Sequence, residues 1–128
     1  MASRDKNDLH QSLAQAYDMA AAEYARLYPQ HPQPFITCTH RSNEEQDKLY
    51  AQGRTQPGKI VTNAKAGQSK HNSLPSKAFD IAFITYDKKL SWDAKHFIRF
   101  AEIVKRISTT ISCGCDWKFI DNPHFELI

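Results

Sequence analysis

Long apolar runs are missing from this 128-residue chain. No stretch approaches the roughly 20 consecutive apolar residues that a membrane span needs. The opening segment Met1–Asp8 also lacks the apolar centre that marks a signal peptide. Cysteine is scarce, and its count of three is odd. Cys113 and Cys115 form a tight pair and Cys38 stands alone, which is no disulfide framework, so all three read as free buried thiols. Blocks of like charge are absent as well. The net charge of +3 is a mild, scattered basic bias, too diffuse for a nucleic-acid-binding stripe. No repeat or low-complexity segment is visible. These absences exclude a membrane-inserted protein, a disulfide-stapled scaffold and a repeat array.

What is present is an ordinary globular balance, 41% apolar and 24% charged, which predicts one domain over residues 1–128 with its own core. Leu9, Leu13, Tyr17, Ala20, Ala21, Tyr24 and Leu27 recur at helical spacing and predict an amphipathic helix over 7–28, stopped by Pro29. Phe35–Thr39 reads as a short strand. Ser42 followed by Glu45 is a capping box opening a second helix that ends at Gly53. Arg54–Asn72 is a long polar loop, and such loops in compact domains are usually functional. The alternation Phe79-Asp80-Ile81-Ala82-Phe83-Ile84 is a strand with Phe79, Ile81 and Phe83 on one face. Ser91 is placed to cap a third helix with Trp92, Phe97, Phe100, Ala101, Val104 and Ile107 as its buried stripe. Phe125 and Leu127 alternate with His124 and Glu126 in a last short strand. The expected fold class is α+β, with a small, mainly antiparallel sheet flanked by helices.

Asp80 is the first residue that asks for chemistry, because an unpaired carboxylate on so apolar a strand is costly. A metal or a cation answers that cost. Of the six histidines, His10 and His96 fall in helices, His31 lies between prolines and His40 sits beside Arg41. The first three read as surface or packing residues, and His40, at a strand end, is suggestive but not specific. His71 and His124 differ, since each occupies a loop-to-strand junction with a carboxylate nearby. Two neutral imidazoles and one carboxylate make a zinc site with an open position for water. Such a site needs a proton acceptor outside the metal's ligands. Asp121 and Glu126 are both near enough in sequence, and spacing alone does not choose between them.

The pattern Ser69-x-His71…Ala78-x-Asp80, with Asp121-x-Pro123-His124-Phe125-Glu126 near the end, resembles the zinc D-alanyl-D-alanine peptidase family. Within it the chain is most similar to the L-alanyl-D-glutamate peptidases used by phages as endolysins. The similarity runs through Arg41-Ser42-x-x-Glu45-Gln46-x-x-Leu49-Tyr50-Ala51-Gln52-Gly53-Arg54-Thr55 and Pro57-Gly58-x-Ile60-Val61-Thr62, and so covers about residues 35–128. The resemblance implies His71, Asp80 and His124 as zinc ligands, Asp121 as general base, Arg41 as the cation facing the oxyanion, and Ser69 and Gln46 near the substrate. It implies the hedgehog/DD-peptidase-like fold, and a zinc-dependent peptidoglycan hydrolase that cleaves the L-alanyl-D-glutamate bond of the stem peptide. It also implies a monomeric, single catalytic domain without a separate wall-binding domain, made without a signal peptide and reaching the wall after holin-assisted release for host lysis. Competing expectations are a D,D- or L,D-carboxypeptidase trimming stem peptides and a non-catalytic zinc-stabilised binding module. Two departures stand out. The interval from His71 to Asp80 carries an insert with Leu74 and Pro75, and Cys113-Gly114-Cys115 replaces the Gly-Gly that commonly precedes Asp-Trp.

Overall fold

Alternation in Ala78–Ile84 organises the molecule. In the computed structural model, which describes residues 2–128, this segment is strand β2, hydrogen-bonded on both edges. It pairs antiparallel with β1 (Gln33–Cys38) on one side and with β5 (His124–Leu127) on the other. A short strand β3 (Leu90–Ser91) pairs with the far end of β2, and β4 (Ile111–Cys113) lies outside β5, giving the order β1-β2-β5-β4. Period-two side chains then divide the sheet into two faces. Phe79, Ile81, Phe83 and Phe125 face the core and are fully buried.

Two helices cover that face. α1 (Gln11–Leu27) contributes Leu13, Ala16, Ala20 and Tyr24, and α3 (Ala94–Ile107) contributes Phe97, Phe100, Ala101 and Val104. Aromatic rings lock the layers: Phe79 stacks on Phe125 at 5.2 Å, and Phe83 meets Phe97 edge-on at 4.8 Å. The expected stripe of α1 is seen from Leu13 to Tyr24, but Leu27 is 39% exposed and the helix begins later than its periodicity suggests. Asp5 caps a 3-10 turn over Lys6–Asp8, Leu9 is extended and bridges to Ser76, and His10 caps α1. Among the described residues no helix is long and apolar enough to cross a membrane.

α3 departs from the sequence expectation at its start. Ser91 is occupied in β3 pairing, and Asp93 caps the helix by accepting from the Lys95 amide at 3.0 Å. Trp92 therefore lies outside the helix, 57% exposed, with its ring stacked on Phe97. β4 was not expected at all; three residues are too few for a period to show.

Beyond the opposite face of the sheet, across a cleft, lie α2 (Asn43–Ala51) and the Gln52–Asn72 segment. The capping box forms as expected, with Ser42 Oγ accepting from the Glu45 amide and Glu45 Oε1 accepting from the Ser42 amide. After α2 the chain reverses at Gly53 (φ +81°), where an added Cβ would lie 2.6 Å from the Ile60 nitrogen. Side chains of α2 hold the long loop: Gln46 Nε2 donates to the Ala64 carbonyl at 2.8 Å and Asp47 Oδ1 accepts from the Ala66 amide at 2.9 Å. The loop is thus tied back to α2.

Phe100 joins α3 to both α1 and β5. Phe100→Ala is expected to lower unfolding free energy by about 3–5 kcal/mol in urea titration, as large core truncations do. A loss under about 1 kcal/mol would contradict this view of the core.

Candidate active site

Strand register builds most of the site. Asp80 is the cross-strand partner of His124 in β5 and of Cys38 in β1. A bulge between Ile36 and Cys38 displaces Thr37, so that Cys38 comes level with Asp80. Three chemically able side chains therefore lie abreast on the face away from the core.

His71 reaches them from a 3-10 turn, Lys70–Asn72, just before β2. Ser69 caps that turn by accepting from the His71 amide, and Asn72 returns a bond to the Ser69 amide. The turn is fastened to the start of the α2 segment: the Arg41 amide donates to the His71 carbonyl, and Asn72 Nδ2 donates to the Arg41 carbonyl. His71 Nδ1 lies 2.7 Å from the Thr39 carbonyl oxygen. A carbonyl only accepts, so Nδ1 carries the proton, and in the neutral ring Nε2 holds a lone pair. Nε2 is buried and without a hydrogen-bond partner among the described residues, 3.3 Å from Asp80 Oδ1. His124 Nδ1 meets the same oxygen at 2.9 Å.

Two imidazole nitrogens thus converge on one carboxylate oxygen. Burial opposes charge on both rings, yet Asp80 beside them outweighs it, raising His71 to about 10 with help from Cys38 and His124 to about 9 with help from Glu126. Burial pushes Asp80 the other way, but the two imidazoles hold it far below the usual carboxylate range. The orphaned Nε2 of His71, the facing Nδ1 of His124 and the Asp80 carboxylate form a donor set suited to zinc. Cys38, His71 and Asp80 also offer atoms within 4.8 Å of one another. The Cys38 thiol is free and buried, as expected, but stands 3.6 Å from His71 Nδ1.

A cleft of about 520 Å³ opens above this group, lined among others by Arg41, Ser69, Lys70, Trp117, Asp121 and Glu126. Arg41 points its Nη2 at Asp80 Oδ2 (3.7 Å) and Cys38 Sγ (3.5 Å), while Nη1 donates to Gln46 Oε1 at 2.9 Å. Gln46, expected near the substrate, is completely buried and does not line the cleft. Its place is behind Arg41, which it orients. Ser69 does line the cleft, but its hydroxyl is engaged in capping the His71 turn.

Geometry separates the two candidate bases. Glu126 is engaged on both oxygens, by His124 Nε2 at 2.8 Å and Lys70 Nζ at 3.1 Å, and the His124 hydrogen bond lowers its pKa despite burial. Asp121 carries no such carboxylate bonds among the described residues. The surrounding protein and the Asp80 charge raise its pKa, against the pull of His124, His71 and Arg41. Asp121 is positioned by backbone: its amide donates to the Gly114 carbonyl and its carbonyl accepts from the His124 amide, each at 3.0 Å. Gly114 is obligatory, because an added Cβ would sit 2.0 Å from the Asp121 carbonyl oxygen. Sequence reasoning missed Cys38, Trp117 and Lys70 as neighbours of the site. Trp117 rests its ring 5.1 Å from that of His124 and donates from Nε1 to Ser112.

Zinc entering this group must displace protons held up to about 9 and about 10 on His124 and His71. Affinity is therefore expected to rise with pH from 6 toward 9. Calorimetric titration near neutrality should show heats that depend on the buffer's ionisation enthalpy. Buffer-independent heats would contradict this charge state.

No family model matches the chain. Over 103 residues it is 40% identical to the peptidoglycan L-alanyl-D-glutamate endopeptidase CwlK of Bacillus subtilis (strain 168), a match covering 73% of this chain and 59% of that protein. The chain thus spans less than two thirds of that relative's length. Among solved structures it superposes on the L-Ala D-Glu endopeptidase ChiX of Serratia marcescens with a TM-score of 0.69 at 20% identity, covering 100% of this chain and 89% of the other. The second match shows a shared α+β fold. Taken with the linked motifs from Arg41 to Glu126, the first is a sequence likeness to a peptidoglycan L-alanyl-D-glutamate endopeptidase over most of this chain.

Proposed function

We propose that this protein is a zinc-dependent peptidase that hydrolyses the L-alanyl-D-glutamate bond of peptidoglycan stem peptides. The observation that carries the reading is the convergence of His71 Nε2 and His124 Nδ1 on Asp80 at the floor of a cleft that also holds Asp121 and Arg41. Zinc held by His71, Asp80 and His124 supplies Lewis-acid activation of water and of the scissile carbonyl. Asp121 takes a proton from the attacking water and delivers it to the amine that leaves as the C–N bond breaks. A carboxylate whose pKa is raised by its surroundings suits both halves of that transfer. Arg41, held by Gln46, keeps a fixed positive charge where the carbonyl oxygen becomes negative. Resemblance to the phage enzymes supports the further reading of a monomeric lysis protein that acts on the wall after holin-assisted release.

Digestion of purified peptidoglycan followed by mass spectrometry should reveal new free glutamate amines, and chelator should abolish them. Fragments shortened only at the stem terminus would replace this reading with a carboxypeptidase. Asp121→Ala is expected to retain zinc while turnover drops by about 10²–10⁴-fold, whereas His124→Ala loses the metal. Full turnover in Asp121→Ala would sink the base assignment. Gly114→Ala must shift the Asp121 backbone, and a displacement of that kind costs about 10²-fold in rate. Zinc content should stay unchanged in the folded Gly114→Ala protein, and undiminished turnover would show that the loop tolerates the methyl.

A further inference from the structure

The site contains a second ion pair that the reaction does not consume. Lys70, immediately before His71, extends its side chain across to β5, where Nζ lies 3.1 Å from Glu126 Oε2 and also donates to the Leu127 carbonyl. The other oxygen of Glu126 accepts from His124 Nε2 at 2.8 Å. His124 Nδ1 in turn faces Asp80, which faces His71 Nε2. The contacts close a ring of five residues, the last link being the peptide bond between His71 and Lys70. A backbone ladder runs beside it, with the Lys77 amide donating to the Lys70 carbonyl and the Leu127 amide to the Lys77 carbonyl.

From this geometry we infer that Lys70 and Glu126 act together as a positioning pair for His124, holding its proton on Nε2 and presenting Nδ1 as the ligand atom. The inference rests on the zinc reading of the same site. His71 has its tautomer set by a fixed backbone carbonyl, that of Thr39. Among the described residues His124 has no such carbonyl; its outer nitrogen meets a side-chain carboxylate. A glutamate side chain alone is flexible, and Lys70 supplies the second attachment that immobilises it. Because Lys70 adjoins His71, the same lysine ties the segment carrying one histidine to the strand carrying the other. Outer partners of metal-bound histidines characteristically change affinity by roughly 10–100-fold when removed.

Zinc affinity of the full chain, measured by competition with a chromophoric chelator, tests this directly. Lys70→Met and Glu126→Gln should each weaken zinc binding by roughly 10–100-fold, and Lys70→Arg should restore most of it. The double variant should be little worse than Glu126→Gln alone, since both changes disable one device. Affinity unchanged in both single variants, with KM for a stem peptide raised in Lys70→Met, would overturn the inference and make Lys70 a substrate contact. A wild-type chain that binds no zinc would overturn the metal reading and this inference with it. If the variants do not fold, nitrogen-15 spectra of the zinc-loaded wild type decide. A proton on His124 Nε2 supports the pair, and a proton on Nδ1 with Nε2 on the metal overturns it.

Discussion

The register of β2 against its two neighbours is the constraint on which the rest depends. Asp80 stands level with Cys38 on one side and His124 on the other. Side chains alternate along a strand, so a slip of one residue would exchange the faces. Phe79 and Ile81 would then enter the cleft and Asp80 would enter a layer of phenylalanines. The core and the site therefore enforce each other. Packing of Phe79 on Phe125 secures the pairing that places Asp80 opposite His124, and an ionised Asp80 could not survive on the other face.

Charge around Asp80 follows the same logic. Arg41, His71 and His124 all point at its two oxygens. Without a metal, this is a carboxylate solvated by cations and donors instead of water. Replacing the two imidazole protons with one divalent cation keeps the charge near balance while releasing Nε2 of His71 and Nδ1 of His124 to act as lone-pair donors.

Legibility in the sequence followed how local each signal was. β2, α1 and the body of α3 were readable because their apolar periods are long and continuous. The start of α3 was not, because Ser91 and Asp93 are both competent caps and only the pairing of β3 decides which one serves. Cys38 looked like an inert thiol, since its position beside Asp80 depends on a bulge that no local pattern announces. Gln46 was placed near the substrate by resemblance, yet a motif records that a residue matters and not which layer it occupies. The residues alone brought His71, Asp80 and His124 together as a candidate metal site, and the family pattern added Asp121 as its base. The residues alone had left Asp121 and Glu126 equal, and only the engagement of Glu126 by Lys70 and His124 separates them.

The structure also divides positioning between two kinds of support. Asp80 and His124 sit on adjacent strands, where ladder hydrogen bonds fix their spacing. Asp121 sits on the turn that leads into β5, held at both ends by backbone contacts with Gly114 and His124. A ligand must keep its distance to its fellow ligands, which strands do well. In the proposed reaction a proton carrier must serve water at one moment and a leaving amine at the next, which favours a short loop anchored at its base over a strand. Gly114 reconciles the two demands, because the missing side chain lets the loop pack directly against its own anchor. The cysteines on either side of Gly114 face other surroundings, Cys113 buried in the core and Cys115 partly exposed beside Asp116, so the glycine alone makes that contact possible.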